Sequence, residues 1–218
     1  NYNLSNFGLN VSHLFNISSY INGYNANRVF ELSTIEGLGY NLSVFDGATK
    51  HAGNLHLGLQ LKIHPTTRMD IMFEPRVTFY TDGIDHSELR NWHRYDLGYG
   101  GNIGLSYRFT PSGGGYNSHH LFKENALLDN TYFNLSSGIL MPLSQDILSE
   151  IGLSSIGPHL NMTLGKWIIP LLGFQGSFFT SYSKWGKDGS NSHYLSTYSG
   201  ARLEAIINLL SFFSTEER

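Results

Sequence analysis

The chain has no cysteine, so neither a disulfide framework nor a thiolate metal site can be built from it. It is also short of charge. Charged residues make up 14% of the 218 residues, against roughly 25% in ordinary soluble domains. The formal charge of −3 offers no basic footprint for a nucleic-acid partner. Long hydrophobic runs are missing too. The nearest, WIIPLLGF at 167–174, contains Pro170 and is flanked by Lys166 and Gln175, which excludes a membrane-spanning helix. The opening NYNLSNFGLN has neither the basic nor the apolar region of a signal peptide. The expectation is a leader already removed, or an internal piece of a longer chain. Any membrane span must then be made of strands.

What fills the deficit is Gly (24), Tyr (13), Phe (14) and many Ser and Asn, a mix suited to strands joined by polar turns. NLHLGLQLKIH at 54–64 places Leu55, Leu57, Leu59, Leu61 and Ile63 on one face and His56, Gly58, Gln60, Lys62 and His64 on the other. A side-chain period of two is the mark of a strand with one apolar and one polar side. MDIMFEPRVTFY at 69–80 repeats it, with Met69, Ile71, Phe73, Val77 and Phe79 opposing Asp70, Glu74 and Arg76. PTTR at 65–68 makes the turn between them. In 95–109, Tyr95, Leu97, Tyr99, Ile103, Leu105, Tyr107 and Phe109 oppose Asp96, Asn102, Ser106 and Arg108. Less regular strands are expected near 2–15, 28–43, 131–141, 157–167, 171–184 and 193–212, about nine in all. Each is long enough for a tilted membrane strand. The break at 110–130 begins Gly-rich, and LFKENALL within it has the makings of a helical turn. Pro75 stands mid-strand, where a bulge or an unpaired carbonyl is expected.

The polar faces are rich in Gly, Asn and Ser, where a soluble sheet carries Lys, Glu and Thr. Small residues suit a crowded lumen and leave the apolar face to lipid. Tyr95, Tyr99, Tyr107 and Phe109 lie toward the two ends of one apolar face, as interface aromatics do. Short turns alternating with long loops fit the same habit. The expected fold is therefore all-β, a transmembrane antiparallel up-and-down barrel.

The run NLSNFGLNVSHLFN, GYNANRVFELSTIEGLGYN, AGNLHLGLQLKI, RMDIMFEPRVTFYTD and GNIGLSYRF resembles the OmpA-like barrels of Bacteroidota outer membranes. GYNxxRV (Gly23, Tyr24, Asn25, Arg28, Val29) and the closing Tyr107-x-Phe109 carry the likeness. GLSYRF resembles that family's last strand, yet the chain continues, and LGKWIIPLLGFQ (164–175) resembles its early strands. The resemblance implies strands four to eight of one unit over 1–110, a linker over 111–130, and strands one to four of a second unit over 131–218. A window of a barrel of about sixteen strands is expected, with a complete ten-stranded barrel as the alternative.

The implied role is a non-enzymatic outer-membrane scaffold, a passive pore, or a membrane subunit of a larger envelope complex. Its partners would be outer-membrane lipid, lipopolysaccharide included, and other outer-membrane or periplasmic proteins, with no cofactor. Lumen-facing polar residues are expected at His56, Gln60, Lys62, Asp70, Glu74, Arg76, Asp96, Arg108, Arg202 and Glu204. Lipid-facing residues are expected at Leu55, Leu57, Leu59, Leu61, Ile71, Phe73, Val77 and Leu105. A soluble lectin-like sandwich is the competing class.

Other chemistry is weakly signalled. The ten histidines include no H-x-H or H-x-x-x-H beside a carboxylate, so no metal site is expected. Asp70 and Glu74, four apart on a strand, stand about 14 Å from each other, too far for a glycosidase pair. Asp85, His86 and Glu88 sit in a loop without the motif of rim-site hydrolases. Six N-x-S/T triplets (Asn3, Asn10, Asn16, Asn41, Asn134, Asn161) fall mostly within strands. GYGGNIG at 98–104 reads as packing glycine within a strand rather than a phosphate cradle.

Overall fold

The computed structural model describes residues 2–23, 28–45, 47–81, 95–109, 128–143, 157–169, 171–186 and 193–208. Alternation of the 54–64 kind runs through nine strands: β1 (Tyr2–Asn16), β2 (Phe30–Phe45), β3 (Ala48–Ile63), β4 (Met69–Thr81), β5 (Tyr95–Arg108), β6 (Thr131–Leu143), β7 (Gly157–Ile169), β8 (Leu172–Gly186) and β9 (His193–Ile207). They pair in sequence order and close into a barrel. One short helix, α1 (Ile17–Asn22), follows β1. It starts where the Asn16 side chain accepts a hydrogen bond from the Ser19 N–H, an N-cap that satisfies an otherwise orphaned donor.

Eight ladders are antiparallel. The ninth, between β1 and β9, is parallel, running from Tyr2 opposite Ser196 to His13 opposite Ile207. An all-antiparallel wall was expected, and the departure has a simple cause. With an odd number of up-and-down strands the first and last point the same way, so closure between them has to be parallel. The described strands thus close on themselves without further units. The loop pattern also differs from expectation. The upper rim, defined by the β2–β3 turn, carries connections 46–47, 82–94, 144–156 and 187–192, while the lower rim carries 17–29, 64–68, 109–130 and 170–171. Short and long connections occur at both rims, so loop length does not sort the two ends.

Pro75 leaves a gap rather than a bulge. Gly58 pairs with Arg76 and Leu61 with Phe73, but nothing pairs between them. The register is unchanged across the gap, and Pro75 keeps its place opposite Gly101 on β5. A proline without N–H cannot bridge to β3. On the lumen side Gln60 Nε2 donates to Glu74 Oε2 at 2.8 Å and spans the break.

The register fixes the tilt. From Leu61 the ladder passes through Phe73, Ile103, Ser137, Leu160, Thr180, Ser199, Ser5 and Val44, and returns to β3 at Thr49. A stagger that large inclines nine strands by about 45°. Each residue then climbs roughly 2.3 Å along the axis and each step across a ladder roughly 3 Å.

Lumen-facing glycines are where neighbouring side chains lie flat on the wall. A Cβ on Gly37 would meet the His56 ring, one on Gly165 the Tyr132 ring, and one on Gly39 the Asn10 carboxamide and, at 2.7 Å, the Leu9 carbonyl oxygen. Gly101 faces outward, and a Cβ there meets nothing within 4 Å. Gly39→Ala is expected to lower unfolding stability by about 1–3 kcal/mol, and Gly101→Ala to stay within about 0.5 kcal/mol of wild type. Urea unfolding of the two refolded variants measures the contrast.

Candidate functional site

The barrel is turned inside out relative to a soluble sheet protein. Among the described residues the largest fully buried side chains are His56, Asp70, Ser12 and Ser43, and the exposed ones include Leu57 at 48% and Leu105 at 51%. Leu55, Leu59, Ile71 and Phe73 are exposed on the same outer wall, and Leu61 and Val77 share their parity, half-buried. Outward aromatics stand at both ends of the wall, with Phe73, Phe174 and Phe178 exposed between them. Tyr40, Tyr99 and Phe79 are exposed toward the upper rim; Phe30, Tyr107 and Phe109 toward the lower. With the rises given above, the two levels stand roughly 25 Å apart along the axis. Tyr107 and Phe109 meet edge to face at 5.5 Å, and Arg68 on the β3–β4 turn donates to the Tyr107 hydroxyl. Tyr95 and Asp96 hold their places on β5, but their side chains lie outside the described ones, as do Asp85, His86 and Glu88 altogether.

Inside, the polar residues form separate clusters. At the lower mouth His64 Nδ1 lies 2.7 Å from Asp70 Oδ1 and Nε2 lies 3.1 Å from Glu31 Oε2. Arg108 pairs with the same Asp70 oxygen, and Asn16 Nδ2 donates to Glu31 at 2.6 Å. β1, β2, β4 and β5 are thereby tied to the β3–β4 turn. Lys62, buried, points into the same region.

Higher up, Tyr132 donates to Gln175 Oε1 at 2.8 Å and Gln175 donates to Glu204. Ser12 also donates to Glu204 and lies 2.8 Å from His56 Nε2. His56 Nδ1 approaches Asn54 at 3.2 Å, and Asn54 donates to Asn10. From β4, Arg76 pairs with Glu74 at 2.9 Å and reaches the field of Glu204 on β9. Arg202 adds its charge there and lies 5.5 Å over the Phe179 ring, which tilts against Tyr198 at 5.4 Å.

His56 and Asp70 are each only 1% exposed. A lumen wide enough for water would leave its lining accessible, so no water-wide passage runs beside them. Chemically, Ser12 and His56 have the separation of a nucleophile and its base. Ser12, however, gives its proton to Glu204, and both residues are sealed from solvent. Among the described residues no group of His, Asp and Glu is arranged to hold a metal.

Parity along the strands marks the sequence-expected polar residues as inward. It also puts His64 on the polar face of 54–64, just past the end of β3. It does not mark Glu31, the partner that completes the lower cluster, because Glu31 opens a strand with weaker alternation. Ile35, Met72, Trp167 and Phe179 are buried apolar residues of the lumen, against the rule that apolar side chains face out. No protein-family model, no curated protein and no solved structure matches this chain.

His64 holds its proton above the usual imidazole value of 6.5, first through the hydrogen bond to Asp70 and then through that to Glu31. A group whose folded value is raised stabilises fully below its unfolded value and loses that contribution as pH rises through the folded one. The stability difference between wild type and His64→Gln is therefore expected to be largest below about pH 6.5 and to shrink at higher pH. Urea midpoints at a series of pH values measure it, and a difference independent of pH would contradict the assignment.

Proposed function

We propose that the protein is an integral outer-membrane β-barrel serving as a non-enzymatic scaffold or as the membrane subunit of a larger envelope complex. The observation that carries the reading is the outer wall: an apolar belt, bounded above and below by aromatics, at roughly the 25 Å height of outer-membrane barrels. The likeness of 1–110 and 131–218 to OmpA-like units of Bacteroidota supports the same placement. Its neighbours would be outer-membrane lipid, lipopolysaccharide, and other outer-membrane or periplasmic proteins. A soluble lectin-like module would bury the outer leucines, and Leu57 and Leu105 are exposed.

Scaffold is preferred to passive pore because side chains from opposite walls meet across the lumen. Small barrels are commonly filled in this way. The sealed Ser12, His56 and Glu204 belong to that filling in this reading, and the buried charges are held in place by partners on several strands.

Two measurements test the proposal. Reconstituted into planar bilayers, the protein should give no steady ohmic current, whereas a stable open conductance would favour the pore. In vesicles, Leu57→Arg should cost about 2–4 kcal/mol of folding stability because it sets a charge near mid-belt. Thr81→Arg, beyond the upper aromatics, should cost less than about 1 kcal/mol. Equal, small effects would remove the membrane from the account.

A further inference from the structure

One pair of ionisable side chains interrupts the apolar wall. His13 on β1 and Glu36 on β2 are cross-strand partners and share the outward parity of Leu9, Val11, Leu38 and Tyr40, all exposed. His13 Nδ1 lies 2.7 Å from Glu36 Oε1, and the side chains are 24% and 40% exposed. His13 Nε2 is buried and has no hydrogen-bond partner, so what the pair presents outward is the edge of the imidazole ring and the more open Glu36 carboxylate. From the register and tilt, the pair sits roughly 8–11 Å inside the lower aromatic level, beside Leu59 and Phe73. Among the described residues no other acidic, basic or histidine side chain stands on the outer wall between the aromatic levels; Lys166 stands at the edge. Hydrocarbon offers such groups nothing, so a polar pair at that depth calls for a partner.

Resting on the membrane reading above, we infer that the outer face of β1 and β2 is where a second copy of this chain docks. Whatever covers the pair must meet an imidazole and a carboxylate at one depth. A copy turned by a twofold axis parallel to the barrel meets both, because its Glu36 comes opposite His13 and its His13 opposite Glu36. Leu9, Val11, Leu38 and Leu57 surround the pair and give the contact its apolar packing.

A chain without cysteine allows a direct test. Thr34→Cys and Leu38→Cys each place one thiol beside the pair; Leu105→Cys places one at similar depth on β5, away from it. All three are reconstituted into phosphatidylcholine vesicles, recovered by flotation, and treated with a short bis-maleimide. Thr34→Cys and Leu38→Cys should give mostly dimer, and Leu105→Cys mostly monomer. Adding His13→Leu to Leu38→Cys should cut the dimer about fivefold, the scale of one polar contact inside a membrane. Floating protein that stays monomeric at both sites, its thiols instead labelled by a lipid-dissolved maleimide, overturns the dimer and leaves the membrane reading standing. Equal crosslinking at Leu105→Cys overturns it too. Protein that does not float overturns both.

Discussion

Every backbone N–H and C=O in the wall of this barrel needs a partner, because the outward side chains surrounding them are apolar and offer none. An open sheet would leave two edges of unpaired groups. Closure is therefore the condition for everything else, and the β1–β9 ladder supplies it. That ladder is parallel because nine strands leave no other choice. Pro75 is the visible exception, where one strand gives up part of a ladder and a side-chain bond from Gln60 to Glu74 takes over the lumen side.

Closing the wall creates an interior, and the interior is divided in character. β3, β4 and β9 send in His56, Gln60, Arg76, Arg202 and Glu204. β5 and β6 answer with Gly98, Gly100, Asn102, Gly104, Ser136 and Gly138. A Cβ on Gly98, Gly100, Gly104 or Gly138 would approach Tyr80, Leu140, Ser136 or Asn102, side chains of the adjoining strands. Many of these glycines are then steric rather than conformational: at Gly37, Gly39 and Gly165 a methyl group would displace a side chain already lying there. The low charge of the composition has the same origin, since each buried ion must find a hydrogen-bonded partner within reach.

Much of this was legible from period two alone, because the strands with the cleanest alternation, β3 to β5, are those whose faces meet the most different surroundings. β3 nonetheless starts at Ala48, earlier than its pattern. Residues 48–53 lack apolar alternation and are held by backbone pairing to Tyr40–Phe45. α1 was hidden for the opposite reason: six residues are too few for a helical period, and only the cap at Asn16 announces it. The charge clusters could be read as inward-facing but not as contacts. Which carboxylate His64 meets depends on register across β2 and β4, and register is a property of the closed wall. Phe179 and Trp167 defied the parity rule because a filled lumen needs bulk as well as polarity.

The strand count has one more effect. β1 begins at the upper rim and β9 finishes at the lower one, where Ile207 pairs with Leu172. With an even count, both would share a rim. Set across a bilayer, a peptide joined ahead of β1 and one joined behind β9 would therefore reach different compartments.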